Sequence, residues 1–330
     1  MKKRSHRLDK MARVYDDEIL PIWSQRFGRM LLRGLEVPPK AMILDVGCGT
    51  GYPSLELLRR MDDQSRIIAI DPVGALLDVA RKKAGELAGK RIFFRSEAPV
   101  SKLAFADEVY DLVISNLGLM LLDSPRRALT EFRRVSKVGG RVMITLPLQG
   151  TYGEFYDIYR EVLTKGDQHE VLDRLETHIA AMPEPDTIVG WFEEAGLEQV
   201  EVEVEEFSLL FKSSREFFFA PVVEFGPLSA WKEIAGKGET MQEIFWHIKE
   251  AIDAYFGERA FAVTVKAGCF RGTRPEGEVF LAEEEPTPPR RDPTPVTPAP
   301  EVVEEEPPTP PGPIADNFRL DDEEEEEEPG

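Results

Sequence analysis

Residues 43–51, ILDVGCGTG, carry an apolar stretch into an acid and then set three glycines two residues apart, after which YPSLELLRRM resumes with Leu55, Leu58 and Met61 at helical spacing. The nearly continuous apolar segment AMILDVG reads as a parallel strand covered on both faces. Pro53 stands in the first turn of the helix that follows, where a missing N–H costs little. Strand, glycine turn and helix is the order obtained. Glycines in such a turn let backbone N–H groups approach a ligand that no Cβ would admit, at a helix N-terminus that favours negative charge.

The same alternation continues. RIIAID, ending at Asp71, reads as a second strand, GALLDVARKKAGELAG as a helix, RIFFRSEA as a third strand and YDLVISN as a fourth. SPRRALTEFRRVSKVGG is expected to be a helix capped by Ser124, with Pro125 at its first position and Gly139–Gly140 as its stop, and RVMITLPL a fifth strand. Strands and helices in this order predict a parallel sheet with helices on both faces and a ligand site at the carboxyl ends of the strands. Beyond residue 150 the pattern changes to helices in EFYDIYREVL, HEVLDRLETHI and PDTIVGWFEEAGL. EQVEVEVEEFSLL then alternates Val200, Val202 and Val204 against Glu201, Glu203 and Glu205, as a half-buried strand would. RAFAVTVKAGCF alternates likewise, so the two predict an antiparallel addition to the sheet edge.

From Pro275 onward the composition shifts. Fourteen of the 26 prolines lie there, and nineteen acids against three arginines give that segment −16 of the chain's net −20. Such a segment cannot bury enough apolar surface to fold, so a disordered tail is expected over 275–330. It would repel nucleic acid and anionic membrane and be open to a basic protein partner. No stretch of eighteen apolar residues occurs, so no membrane insertion is expected, and a cytoplasmic location is expected. Cys48 and Cys269 are too few for a disulfide framework, and the four histidines show no zinc spacing, so no metal is expected.

The dinucleotide fingerprint G-x-G-x-x-G fails from Gly47, because position 52 is Tyr. The pattern present is Asp45-x-Gly47-x-Gly49-x-Gly51. An acid at the strand end suits an ammonium group and repels a pyrophosphate. A ligand with both a carboxylate and an ammonium would answer both halves of the turn. Asp71, 22 residues after Gly49, is placed to take two ribose hydroxyls.

On DVGCGTG, on SEAPVSKLAFADEVYDLVISNLGLMLL and on ALTEFRRVSKVGGRVMI, the chain resembles the class I S-adenosylmethionine-dependent methyltransferases, in particular the small-molecule ubiquinone/menaquinone-biosynthesis and biotin-pathway type. The resemblance implies a Rossmann-like α/β fold: a seven-stranded, mostly parallel sheet in the order 3-2-1-4-5-7-6, its last strand antiparallel, with helices on both faces and a helical cover. It implies S-adenosyl-L-methionine as cofactor. Asp45, Gly47, Cys48, Gly49 and Gly51 would surround its methionine part, Asp71 with Pro72 its ribose, and Asn116 and Leu117 the transferable methyl. SEA stands where relatives carry GDA, making Glu97 the match for the adenine-contacting acid, and position 104 is Ala where relatives often have Pro.

Three domains are expected: an N-terminal helical cap (1–39), a methyltransferase domain (40–274) with helical insertions between 150 and 258, and the tail (275–330). The cap would bring Tyr15 or Trp23 near the sulfonium, where a π face is favourable. The basic pairs Arg126–Arg127 and Arg133–Arg134 read as a solvated helix face, and YDLVISNLGL is not the D-P-P-Y type, so a nucleic-acid substrate is not expected. His169, His178 and His247 read as surface or packing residues. The expected activity is methyl transfer to a small-molecule acceptor, apolar or aromatic if the rings of the cover line its pocket, and needing no visible catalytic base. The rival expectation is a methyltransferase-like scaffold that engages partners through its acidic tail.

Overall fold

The computed structural model describes residues 6–276, apart from 86–88, 90, 98–101, 120–121, 123 and 258. The expectations for the tail fall almost wholly on 277–330, outside the described residues. Seven strands form one sheet: β1 (Met42–Val46), β2 (Arg66–Asp71), β3 (Ile92–Ser96), β4 (Tyr110–Asn116), β5 (Ser136–Pro147), β6 (Glu198–Phe211) and β7 (Phe261–Thr273). Their order is β3-β2-β1-β4-β5-β7-β6, as the family resemblance implies. β1 to β5 pair in parallel, and β7 runs antiparallel to both β5 and β6.

α1 (His6–Val14) leads through a π-helical turn at Tyr15–Ile19 to α2 (Ser24–Leu32). Between the parallel strands come α3 (Ser54–Arg60), α4 (Gly74–Ala84) and α5 (Pro125–Val135). The later helices are α6 (Gly153–Lys165), α7 (His169–Ala180), α8 (Pro185–Glu194), α9 (Ser214–Phe219), α10 (Pro221–Glu224), α11 (Leu228–Ala235) and α12 (Gly238–Phe256).

Alternation along the strands divides the core between the two faces of the sheet. Ile43, Leu112, Ile114 and Met143 pack with Phe27, Met30 and Leu31 of α2, Leu57 of α3 and Leu77 of α4. Leu44, Val46, Val113, Val142 and Ile144 pack with Leu129 and Phe132 of α5 and with Ile188 and Phe192 of α8. Both faces are covered, which is why β1 reads as an unbroken apolar run. Lys83 of α4 pairs with Asp16 at 2.5 Å, tying the π-helical turn to the helix that follows β2.

Three local expectations are corrected. α5 stops at Val135 rather than at Gly139–Gly140, and Ser124 makes no side-chain cap. The Arg274 guanidinium donates to the carbonyls of Arg133, Arg134 and Ser136 at 3.2, 3.1 and 2.6 Å, so a distant cation satisfies the end of the helix and the chain turns extended at once. Arg133 and Arg134 do not form a solvated face. Arg134 pairs with Glu131 and Asp107 and donates to the carbonyls of Leu103 and Phe105, fastening the loop before β4.

In β6 the alternation is present but inverts past Val200. Val200 packs against the core as expected, but Val202 and Val204 are 42% and 46% exposed, while Glu203 pairs with Arg33 and Arg271 and Glu205 pairs with Arg33 at the surface. The inward side becomes apolar further along, at Phe207, Leu209 and Phe211.

Candidate active site

A cavity of about 190 Å3 opens at the carboxyl ends of β1, β2 and β4, lined by Tyr15, Val46, Gly47, Gly49, Ile70, Asp71, Pro72, Val73, Leu76, Glu97, Asn116, Leu117, Gly118 and Leu122. Larger but shallower hollows lie elsewhere, such as one of about 570 Å3 along β3 between Arg81 and Phe93. The smaller cavity sits where strands of a parallel sheet end on both sides of a change in strand order.

The glycine turn is built for close approach. Gly47 has φ +79°, and a Cβ there would stand 3.1 Å from Gly118 Cα. A Cβ on Gly118 would in turn meet Ser115 Oγ and Val46 O at 2.7 Å, so the loops after β1 and β4 touch backbone to backbone. Gly49, at φ +53°, faces the Tyr15 ring, whose nearest atom would be 3.6 Å from an added Cβ.

The expectation that the turn's N–H groups point at a ligand is corrected for four of them. The Gly47 and Cys48 N–H groups donate to Ile70 O at 2.9 and 3.0 Å, that of Gly49 to Asp71 Oδ2 at 2.9 Å, and that of Gly51 to Cys48 O at 2.8 Å. The glycines are required because they lack side chains and reach positive φ.

Asp71, nearly buried at the end of β2, accepts from Gly49 N–H on one oxygen and from Val73 N–H at 2.8 Å on the other. Burial pushes its carboxyl up, and the two backbone donors oppose that. Each oxygen keeps a lone pair for a further donor. Glu97, on the segment after β3, accepts from Ala104 N–H at 3.2 Å, while its Oε2 lies 3.4 Å from the Arg95 guanidinium and receives no hydrogen bond.

Asp45, Cys48 and Gly51 stand behind the cavity wall rather than on it. Asp45 is fully buried: Ser54 Oγ donates to its Oδ2 at 2.6 Å, and its Oδ1 has no partner among the described residues. Burial pushes its carboxyl up to about 7, against the Ser54 hydrogen bond.

Tyr15 reaches the cavity and Trp23 does not. Trp23 packs on Phe27, Tyr152 and Phe207. Tyr15 Oη shares a hydrogen bond of 2.8 Å with Ser24 Oγ, and burial raises its pKa, so the ring presents itself neutral. Asn116 Nδ2 donates to Ser24 O at 3.1 Å, its Oδ1 accepts from Thr145 Oγ1 at 2.7 Å, and Leu117, at φ +65°, donates its N–H to Thr145. Sequence reasoning missed Gly118, Ser24 and Thr145. Gly118 could have been found as the glycine two residues past β4. Thr145 is legible only through register, because it stands opposite Asn116 across the β4–β5 pair.

The rings of the cover do not line this cavity. Phe155, Phe217 and Trp231 stack on one another, 4.0 Å between the centroids of Phe155 and Trp231, with Tyr156, Tyr159, Phe218 and Phe245 around them. These rings form a closed core, while Phe219, Phe225, Trp246 and Tyr255 are exposed, and none of them lines the cavity. His178 lies beside Tyr156 in the same region. Among the described residues no group of three or more His, Cys, Asp or Glu could hold a metal, and no helix is long and apolar enough to cross a membrane.

Comparison with known proteins accords with this geometry. Residues 44–144 match the family model of a methyltransferase domain. A demethylmenaquinone methyltransferase from Renibacterium salmoninarum is 25% identical over 213 residues, 59% of this chain and 86% of the relative. A ubiquinone/menaquinone biosynthesis C-methyltransferase from Idiomarina loihiensis is 29% identical over 170 residues, 48% of this chain and 67% of the relative. Among solved structures, the YcgJ protein from Bacillus subtilis shares the fold at a TM-score of 0.51 and 16% identity, covering 77% of this chain and all of that one. Sheet order, domain match and relatives together make the chain similar to the class I S-adenosylmethionine-dependent methyltransferases, with residues 44–144 as the matched methyltransferase domain.

Proposed function

We propose that the cofactor occupies the cavity at the ends of β1, β2 and β4 and that the methyl group passes to a small-molecule acceptor with its own nucleophilic centre. The observation that carries this is the meeting, at one cavity, of the side-chain-free turn at Gly47 and Gly49, the Asp71 carboxylate and the Tyr15 ring. When bound, S-adenosylmethionine supplies a methyl group on a cationic sulfur that departs as a neutral thioether.

The chain's residues fit that ligand. The spare lone pairs of Asp71 accept two ribose hydroxyls, and the backbone donors on its other lone pairs hold the carboxylate in place. Pro72, Val73, Leu76 and Leu122 give the base an apolar slot beside Glu97, whose Oε2 is free of hydrogen bonds. The buried, half-satisfied carboxylate of Asp45, directly behind the turn, supplies negative potential toward an ammonium group. Tyr15, with its hydroxyl committed to Ser24, offers a π face to a cation, worth roughly 0.5–2 kcal/mol.

The N-terminal helices act as the cap that excludes water. Among the described residues lining the cavity, Tyr15, Asp71 and Glu97 carry the ionisable groups. Tyr15 stays protonated, and both carboxyls are engaged as acceptors. Methyl transfer then depends on alignment and desolvation rather than on a base, and the acceptor must arrive nucleophilic. A reduced quinone ring carbon meets that requirement and agrees with the names of the relatives. Incubation with methyl-labelled S-adenosylmethionine and a reduced demethylated naphthoquinol should give labelled ring-methylated product. Transfer only to another class of metabolite from a cell extract would replace the quinol, and stabilisation by NAD alone would remove the cofactor assignment.

A further inference from the structure

We propose that Thr145 is a positioning residue that latches the cap over the cavity, acting through the side-chain amide of Asn116; the consequence for catalysis rests on the cofactor reading above. A directed chain of hydrogen bonds runs from the sheet to the cap. The Leu117 N–H points at Thr145, 3.2 Å from Oγ1 and 3.0 Å from the main-chain oxygen. With a donor already directed at Oγ1, the hydroxyl proton of Thr145 goes to Asn116 Oδ1, 2.7 Å away. That fixes the amide with Nδ2 outward, where it donates to Ser24 O at 3.1 Å, at the first residue of α2. The hydroxyl of that same Ser24 holds the Tyr15 phenol at 2.8 Å, and the Tyr15 ring stands against Gly49 across the cavity.

Every member of this chain is buried or half-buried, so each bond forms where water offers little competition. The reverse amide orientation would set Asn116 Oδ1 against Ser24 O, two acceptors facing each other, and the cap would lose this tie to the loop after β4. Thr145 is remote from Ser24 in sequence but stands opposite Asn116 in the β4–β5 register, so the strand pairing itself delivers the hydroxyl to the amide. Leu117 is held at φ +65°, a conformation costly for a branched side chain. Its N–H bonds to Thr145 hold it there, so the same threonine supports the strained cavity residue and the cap.

The test is Thr145→Val, which keeps shape and burial and deletes the hydroxyl, set beside Thr145→Ser, which restores it. In the full chain, Thr145→Val should weaken S-adenosylmethionine binding, by calorimetry, about tenfold, the scale of one buried hydrogen bond at the top of its usual range. It should speed amide exchange across residues 15–25 while exchange in β1 and β2 stays at wild-type rates. Thr145→Ser should recover both to within about twofold. Equal affinity and equal cap exchange in Thr145→Val would overturn the latch, as would a serine variant as defective as the valine. The exchange measurement needs no ligand, so a wild-type chain that fails to bind the cofactor would sink the cavity assignment while the latch is judged separately.

Discussion

The wall of the cavity and the helical cover over α6 to α12 are both buried, yet they are built on opposite rules. In the wall, single residues are dictated by geometry: Gly47 by a positive φ and a neighbouring backbone 3.1 Å from its missing Cβ, Asp71 by two backbone donors that converge on it. In the cover, rings pack on rings: Phe155, Phe217 and Trp231 form a mutual cluster that Phe217 extends to Phe261 at the start of β7. The first region should respond to substitution in ligand affinity, and the second in stability.

The largest effect should come from Trp231→Ala. It removes a fully buried indole, its stacking on Phe155 and its bond to Tyr156, and should lower unfolding free energy by about 3–5 kcal/mol in denaturant titration. Cofactor affinity of the molecules that remain folded should match wild type. A parallel loss of affinity would make the cover part of the cofactor site and erase the contrast.

Asp71→Asn sharpens it from the other side. The variant keeps an acceptor but loses the charge, at about 1.5–3 kcal/mol per charge-assisted bond, so calorimetry should find affinity down roughly tenfold or more with a smaller change in melting temperature. Unchanged affinity in a folded variant would move the ribose contact elsewhere. Gly47→Ala should cost about 1–2 kcal/mol for the left-handed backbone alone, with cofactor binding falling as the loops after β1 and β4 are pushed apart. Gly190→Ala, within α8 with no atom of a neighbouring element within 4 Å of the added Cβ, should instead gain about 0.5–1 kcal/mol. Thermal melts of the pair decide whether it is the backbone that demands glycine in the wall.

The last effect is a slope with pH. Asp45 titrates near 7 in the folded chain, against 3.8 for an ordinary aspartate. Between those values the folded state binds the proton more tightly than the unfolded state. Stability from this group therefore falls as pH rises from about 4 to 7, by at most about 1.4 kcal/mol per pH unit, and is flat above. Asp45→Asn should remove that slope and melt higher than wild type at pH 8. Wild-type cofactor affinity should strengthen through pH 7 as the carboxylate ionises, and the variant's should not. A pH-independent difference between the two would mean that Asp45 is already ionised at low pH.

The same contrast explains what was legible in the sequence. The sheet order came from the family resemblance, whereas Gly47, Gly49 and Asp71 were readable because a strand-to-helix turn with an acid after the next strand admits few residue types. Ser24 and Thr145 were not, because their roles arise from register between segments distant in sequence. The cover's aromatics could not declare whether they faced a ligand or one another, since apolar content fixes burial but not the neighbour. In β6, period two announced an alternation without saying which face was inner. Arg33 and Arg271 drew Glu203 to the inner side.

In the β6–β7 ladder Phe211 lies directly opposite Phe261, so everything from 212 to 260 departs and returns between two residues that face each other. Topologically this is a hairpin whose tip has grown into a small helical subassembly. Lengthening such an excursion carries only a weak logarithmic penalty in closure entropy. Descendants of a common ancestor could therefore exchange this piece wholesale without re-threading the sheet. The sheet and the turn at Gly47 and Gly49 can stay constant while this excursion drifts.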